Sequence, residues 1–285
     1  MKARKALPLM LMGALTLLLF AFFGLRLLHN PSAETKTQSA GHSVFTKKVT
    51  ETNPLSKKLT TIHKAKDQMN AAYYKHPVVN VGSEAAIVNY PDTFTQLINR
   101  SELSVEGVVG KLTARPYQQM AFTMADITVR KVLHGDQKFV GQTIPVLFSG
   151  GNISKKMLYS GIAMKDALQN KQDQETVNSQ EIVTVQYTAE RLPRVGDAVA
   201  LVLARAPEGA NGITEPVWGT SFGAKGIFFR TAAGDYERTP ATVPTGNGQE
   251  SRSKRSTASA DNDEQADDEK MNAGMTELVQ HAFAQ

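Results

Sequence analysis

Gly219-Thr220-Ser221-Phe222-Gly223 spells G-x-S-x-G, a pentapeptide that can hold a serine hydroxyl as a nucleophile, and Asp235 and His281 follow in the chain order nucleophile, acid, base. An exported hydrolase using Ser221 is therefore one function to weigh. The chemistry needs more than these letters: the serine must stand on a sharp turn between a strand and a helix, above a parallel sheet. Here Ile227-Phe228-Phe229-Arg230 follows with a β pattern, His281 lies in the tail, and no β-α-β alternation surrounds the site. The glycines read as a bend in a β segment, and no catalytic residue is assigned.

Other matches to reactive motifs fail on spacing. Gly107-Val108-Val109-Gly110-Lys111-Leu112 lacks the G-x-x-x-x-G-K-[ST] spacing of a phosphate loop, and Leu112 stands where a magnesium-binding hydroxyl would be. Asp261-Asn262-Asp263 begins like a calcium loop, but Ala266 replaces the turn glycine and Asn272 the closing glutamate. The six histidines are scattered, and there is no cysteine, which removes thiol chemistry, disulfides and thiolate metal sites. The expectation is a protein with no metal and no cofactor.

The formal charge is +5, but Lys2, Arg4, Lys5 and Arg26 supply four of those charges before the first acid at Glu34. The rest of the chain is close to neutral. A nucleic-acid surface would need a basic stripe on the folded domain; the clearest cluster, Arg252 to Arg255, sits in a polar stretch, so no nucleic acid is expected. The N-terminal charges instead flank the uncharged run Ala6 to Leu25, long enough as a helix to cross a hydrocarbon core of about 30 Å. Basic residues before the run keep the N-terminus inside. Residues 1–5 are read as a cytoplasmic n-region and 6–28 as a transmembrane signal anchor, with the C-terminal part outside the cell; cleavage as a secretory signal is the alternative.

Further along, residues 29–54 have the polar composition of a flexible stalk, and 55–91 of a helical lead-in with Leu55, Leu59, Ile62, Met69 and Tyr73 near helical spacing. Residues 92–239 carry the domain: a helix capped at Asp92, then strands at Leu103–Thr113, Ala121–Leu133, Thr143–Phe148, Glu181–Thr188 and Ala198–Ala206, and a last β segment over Val217–Thr231. Residues 154–180 interrupt this pattern as an insertion, helical in part. Residues 240–270 read as a disordered linker and 271–285 as a short amphipathic helix able to dock on a partner.

The strings LINRSELSVEGVV, ITVRKVLHGDQKFVGQTIPVLFSGG, RVGDAVALVLA and GAKGIFF, in that order between Phe94 and Arg230, resemble the OB-like β-barrel domains of membrane-anchored surface proteins of Gram-positive bacteria. The resemblance rests on the Gly135-Asp136 and Gly196-Asp197 turns and on the β pattern. It implies a mainly β fold, a small OB-like barrel with short flanking helices behind one transmembrane helix. It implies location but no active-site residues. Because OB-like barrels bind oligonucleotides or oligosaccharides through exposed aromatic and basic residues, Trp218, Phe222 and Tyr117, with Arg115 and Lys225, are the candidate ligand-binding residues. The expected function is a membrane-anchored extracytoplasmic binding or structural module whose partner is a cell-wall component or a membrane protein; the alternatives are the Ser221 hydrolase and an accessory subunit of a membrane complex.

Overall fold

The computed structural model describes residues 53–82, 89–160, 175–187, 190–239 and 257–285, with side chains of the last segment from 265 onward. The expected anchor at 6–28, nearly all of the stalk, the middle of the insertion (161–174) and residues 240–256 lie outside the described residues. Among those that are described, no helix is long and apolar enough to cross a membrane.

In chain order the elements are α1 (Pro54–Tyr73), β1 (Val78–Val81), α2 (Phe94–Asn99), β2 (Leu103–Ala114), β3 (Phe122–His134), β4 (Thr143–Ser149), β5 (Gly151–Ser154), α3 (Lys155–Leu158), β6 (Ile182–Tyr187), β7 (Ala198–Arg205), β8 (Trp218–Thr220), β9 (Ile227–Arg230), β10 (Tyr236–Glu237) and α4 (Thr257–Ala284). Strands β7, β2, β3, β4 and β8 pair in that order, and β8 pairs back onto β7, which closes a five-stranded barrel. All its pairs are antiparallel except β4 with β8. Closure removes the free edges that would template aggregation.

The sequence explains this barrel strand by strand. Val105, Val109, Ile127, Val129, Val146, Phe148, Leu201 and Leu203 fill its interior, joined by Trp218, Ile227 and Phe229. Strand β7 is apolar up to its last residue, Arg205, because both of its faces are buried: Val199, Leu201 and Leu203 point into the barrel, whereas Ala200 and Val202 face a second cluster with Leu97, Phe228, Met271, Met275 and Val279. The turns that carried the family resemblance have a local cause. Gly135 has φ +100°, and Asp136 accepts the backbone N–H of Lys138 at 2.9 Å. Gly196 has φ +92°, and Asp197 accepts the N–H of Arg194 at 2.9 Å.

Beside the barrel stands a three-stranded sheet, β1-β6-β5, with β1 parallel to β6. The sequence pattern places no strand at 78–81 and none directly beyond Gly150-Gly151. Instead the two glycines redirect the chain from β4 into β5. Gly151 has φ +132°, and a Cβ there would lie 2.3 Å from Thr123 Oγ1. Helix α1 is tied to both sheets: the Tyr73 hydroxyl meets Thr123 Oγ1 on β3 at 2.8 Å, the Tyr73 carbonyl accepts from the Asn152 side chain on β5 at 2.8 Å, and the Asn70 side chain exchanges hydrogen bonds with the backbone of Val195 before β7.

Three expectations are corrected. The class is mixed α/β with a barrel, not mainly β, because α1 runs 20 residues and α4 runs 28. The helix that precedes β2 begins at Phe94, capped by Thr93 Oγ1 on the N–H of Gln96 instead of by Asp92. Most consequentially, the C-terminal helix begins at Thr257, not at Met271, so the acidic run is helical. The reason is tertiary. Asp268 pairs with Lys225 at 2.8 Å and with the buried Arg238 at 3.0 Å, and Asp267 approaches Arg238 at 3.6 Å. The apolar face of this helix, Met271, Met275 and Val279, is occupied by its own domain.

Two stability tests follow from these contacts. Asp268→Ala leaves Arg238, 2 % exposed, without its closest carboxylate, and lowers stability by about 3 kcal/mol in urea denaturation; an unchanged midpoint would mean that the methionines alone hold α4. Gly151→Ala places a Cβ against Thr123 in a left-handed backbone and costs at least about 2 kcal/mol by the same measurement.

Candidate functional site

Two loops converge at one end of the barrel: residues 115–121, between β2 and β3, and residues 206–217, between β7 and β8. In the first, Tyr117 and Met120 exchange backbone hydrogen bonds of 2.9 Å around Gln118, whose φ is +52°. The tight turn leaves Tyr117 37 % and Met120 47 % exposed. The second loop coils on itself through left-handed Gly209, Asn211 and Gly212, and is closed at its base by the N–H of Ala206 donating to Val217 O at 3.0 Å. Ile213 and Val217 anchor it on the outer face of β3 and β4, against Phe122, Met124 and Leu147.

The loops touch at two points. Arg115 Nη2 reaches Glu215 Oε1 at 3.0 Å, an exposed pair worth at most about 1 kcal/mol. The Tyr117 ring lies so close over Gly212 that a Cβ there would come within 2.8 Å of it. The glycine therefore serves two ends, the positive φ and the aromatic contact.

Beside this junction opens a cleft of about 360 Å³, with Phe122 and Leu147 as apolar wall and Ser149, Arg205, Asn211 and Thr220 as polar lining. Arg205 ends β7 directly opposite Trp218 on β8, and its guanidinium stacks 4.6 Å from the centre of the indole. Its backbone N–H donates to Glu102 Oε1 at 3.2 Å, while its guanidinium has no ion-pair partner among the described residues. Glu190 stands behind the cleft, 3.6 Å from where a Cβ on Gly223 would be. Burial raises its carboxyl above the usual carboxylate range, and hydrogen bonds from the side chain and backbone of Ser149 offset this in part.

Of the five candidate residues, Arg115 and Tyr117 meet at this site. Trp218 does not present a binding face: it is 6 % exposed, edge-on to Phe139 at 5.8 Å in the barrel core, and reaches the cleft only as the support beneath Arg205. Phe222, left-handed at φ +60°, packs edge-on to Tyr90, and Lys225 is bound to Asp268, so both belong to the seam with α4. Exposed aromatics and core aromatics look alike in a sequence, and that is why Trp218 and Phe222 were grouped with Tyr117. Arg205 was missed. Its signal, an arginine closing an otherwise apolar strand, acquires meaning only once the register opposite Trp218 is known.

Ser221 is not arranged as a nucleophile. A three-residue strand precedes it and a 3-10 turn at Gly223–Gly226 follows, where a hydrolase elbow has an α-helix. Its hydroxyl is buried without a hydrogen-bond partner among the described residues. The exposed imidazole of His281 lies 3.8 Å from Glu277 on its own helix. Among the described residues no three His, Asp or Glu side chains converge as metal ligands.

Comparison of the chain with protein-family models, with curated proteins and with solved structures found no match.

The raised carboxyl of Glu190 has a thermodynamic consequence. Between its unfolded value near 4.5 and its higher folded value, the folded chain keeps a proton that the unfolded chain releases, so stability falls as pH rises through that window. Glu190→Gln keeps an acceptor for Ser149 and has no proton to lose. Its urea midpoint should exceed that of the wild type at pH 7, and the gap should close as pH is lowered below about 4.5; a gap independent of pH would contradict this origin.

Proposed function

We propose that the chain is a membrane-anchored, extracytoplasmic binding module built on an OB-like barrel, with the cleft beside the junction of residues 115–121 and 206–217 as its ligand site. Numbered along the barrel, the strands pair in the order first, second, third, fifth, fourth and back to first, with the third and fifth parallel. This is a five-stranded Greek-key closure of the OB type, a fold that binds through the face of its second and third strands and the loops joining strands one to two and four to five. Here those are β3, β4 and the two loops that converge. That coincidence carries the reading.

The rest of the proposal comes from the sequence. The basic residues before Ala6 and the apolar run behind them support a single-pass anchor with the domain outside, at the cell membrane. A wall component or the outer part of a membrane protein would then be the molecule within reach. Two of the chain's exposed large apolar side chains, Tyr117 and Met120, stand on the 115–121 loop, whose Tyr117 ring rests on Gly212 next to the cleft residue Asn211, and a partner reaching beyond the cleft would gain by covering them.

Cross-linking with a membrane-impermeant reagent on intact cells that make the full chain tests this. The wild type should form recurrent adducts with an envelope component, and Tyr117→Ala/Met120→Ala should reduce them about tenfold. The double variant should keep its urea midpoint, since both side chains are substantially exposed. Adducts at full yield in the double variant would remove the cleft from the reading, and no adduct of any kind would remove the outside orientation.

A further inference from the structure

The chemistry of the cleft points further, provided that it is the ligand site: we infer that it is a subsite for an acidic oligosaccharide, with Arg205 receiving one carboxylate of the sugar chain. Around the barrel the other arginines near acids are engaged. Arg115 pairs with Glu215, Arg130 with Glu106, Arg191 with Asp197 and Arg238 with Asp268. Arg205 is exposed and lines the cleft, and its side-chain N–H groups are without a protein acceptor among the described residues. The guanidinium is nevertheless held in place. It stacks on Trp218, which is itself packed edge-on against Phe139 inside the barrel. A stacked guanidinium keeps its in-plane donors for the two oxygens of a carboxylate, and little side-chain entropy remains to be lost on binding.

The rest of the lining suits a sugar. Phe122 and Leu147, 6 % and 9 % exposed, close the cleft on its apolar side, and Ser149, Thr220 and Asn211 supply donors and acceptors for the hydroxyl and amide groups of a sugar. About 360 Å³ lies at the small end of ligand pockets, room for a ring or two, not for an extended polymer. A nucleic-acid strand fits poorly, because it brings a phosphate at every residue and needs a track of cations and several stacking platforms. Here Arg205 is the one cation among the lining residues, and Glu102 accepts its backbone N–H at 3.2 Å. Burial favours the protonated form of Glu190, which lessens its repulsion of an anion.

The test compares tetrasaccharides by calorimetry on the full chain in detergent. One probe alternates N-acetylglucosamine with N-acetylmuramic acid. Chitotetraose has the same β-1,4 backbone without the lactyl carboxylate, and tetragalacturonate carries its carboxylates on the rings instead. The wild type should bind at least one acidic probe tenfold or more tighter than chitotetraose, and which one tells a wall glycan from a uronic acid polymer. Arg205→Gln should abolish the preference, and Arg205→Lys should restore part of it, since a lysine keeps the charge but loses the fork; the urea midpoint of each variant checks the fold. Equal affinity for all three probes, a preference that survives in Arg205→Gln, or no binding by the wild type would each overturn the inference. If cells still give Tyr117- and Met120-dependent adducts in that case, only the sugar assignment fails; if those adducts are absent as well, the binding-site reading fails with it.

Discussion

Strand β7 is where the constraints of this fold meet. It pairs with β2 along one edge and shares its other edge between β8 and β9, so the barrel closes through it and the chain continues from it. Its inward residues complete the barrel core, which leaves Ala200 and Val202 on an outer face that must also be covered. Helices α2 and α4 provide that cover. Met271, Met275 and Val279 recur every fourth residue, and burying each contributes on the order of 1.5–3 kcal/mol. Gly274 allows the approach: a Cβ there would come within 2.5 Å of the Phe94 ring.

Covering β7 with a helix creates a second problem, because β10 is an edge with unpaired N–H groups. Helix α4 resolves it with side chains in register. Thr276 Oγ1 accepts the N–H of Tyr236 at 2.9 Å, and Asn272 Oδ1 accepts that of Arg238 at 3.0 Å. The spacing works because four residues of helix rise about 6 Å and two residues of strand about 6.6 Å. The charged groups trapped by this docking are then obliged to pair. Glu106, fully buried on β2, receives both Arg130 and the hydroxyl of Tyr236, whose own ionisation is pushed well above the ordinary range by burial. The pairs across the α4 seam, Arg238 and Lys225 with Asp268, add little net stability, since desolvation cancels most of the attraction, but a misplaced helix would leave the buried Arg238 uncompensated. They set the register of α4, and the methionines supply its affinity.

This division explains what was legible in the sequence. Strands β2, β3, β4, β6 and β7 begin and end within a residue or so of their expected bounds, because alternation and the Gly-Asp turns are local signals. Strand β1 was not visible: its four residues are at most half-buried, and its partner β6 lies about a hundred residues further on. The start of α4 was invisible for a related reason. A run of aspartates reads as a solvated linker until cations 30 and 43 residues away in the chain, Arg238 and Lys225, are brought against it. At the cleft, Arg115 and Tyr117 carried a usable signal, an aromatic and a cation in a turn between strands. Arg205 and Glu190 did not, since one looks like the end of a strand and the other like any loop carboxylate.

The site inherits its order from the barrel instead of from the loops themselves. An exposed pair such as Arg115 with Glu215 is too weak to fix two loops, and three left-handed residues in the second one would otherwise cost order. Ile213 and Val217, by contrast, are at most 6 % exposed and sit on β3 and β4. Their burial makes the 206–217 loop a side wall of the barrel, and Tyr117 then rests on Gly212 of that wall. Arg205 is positioned in the same way, by a tryptophan that belongs to the core. A ligand of the kind proposed would thus meet groups whose conformations are already set by packing, so that little of its binding energy would be used to order them.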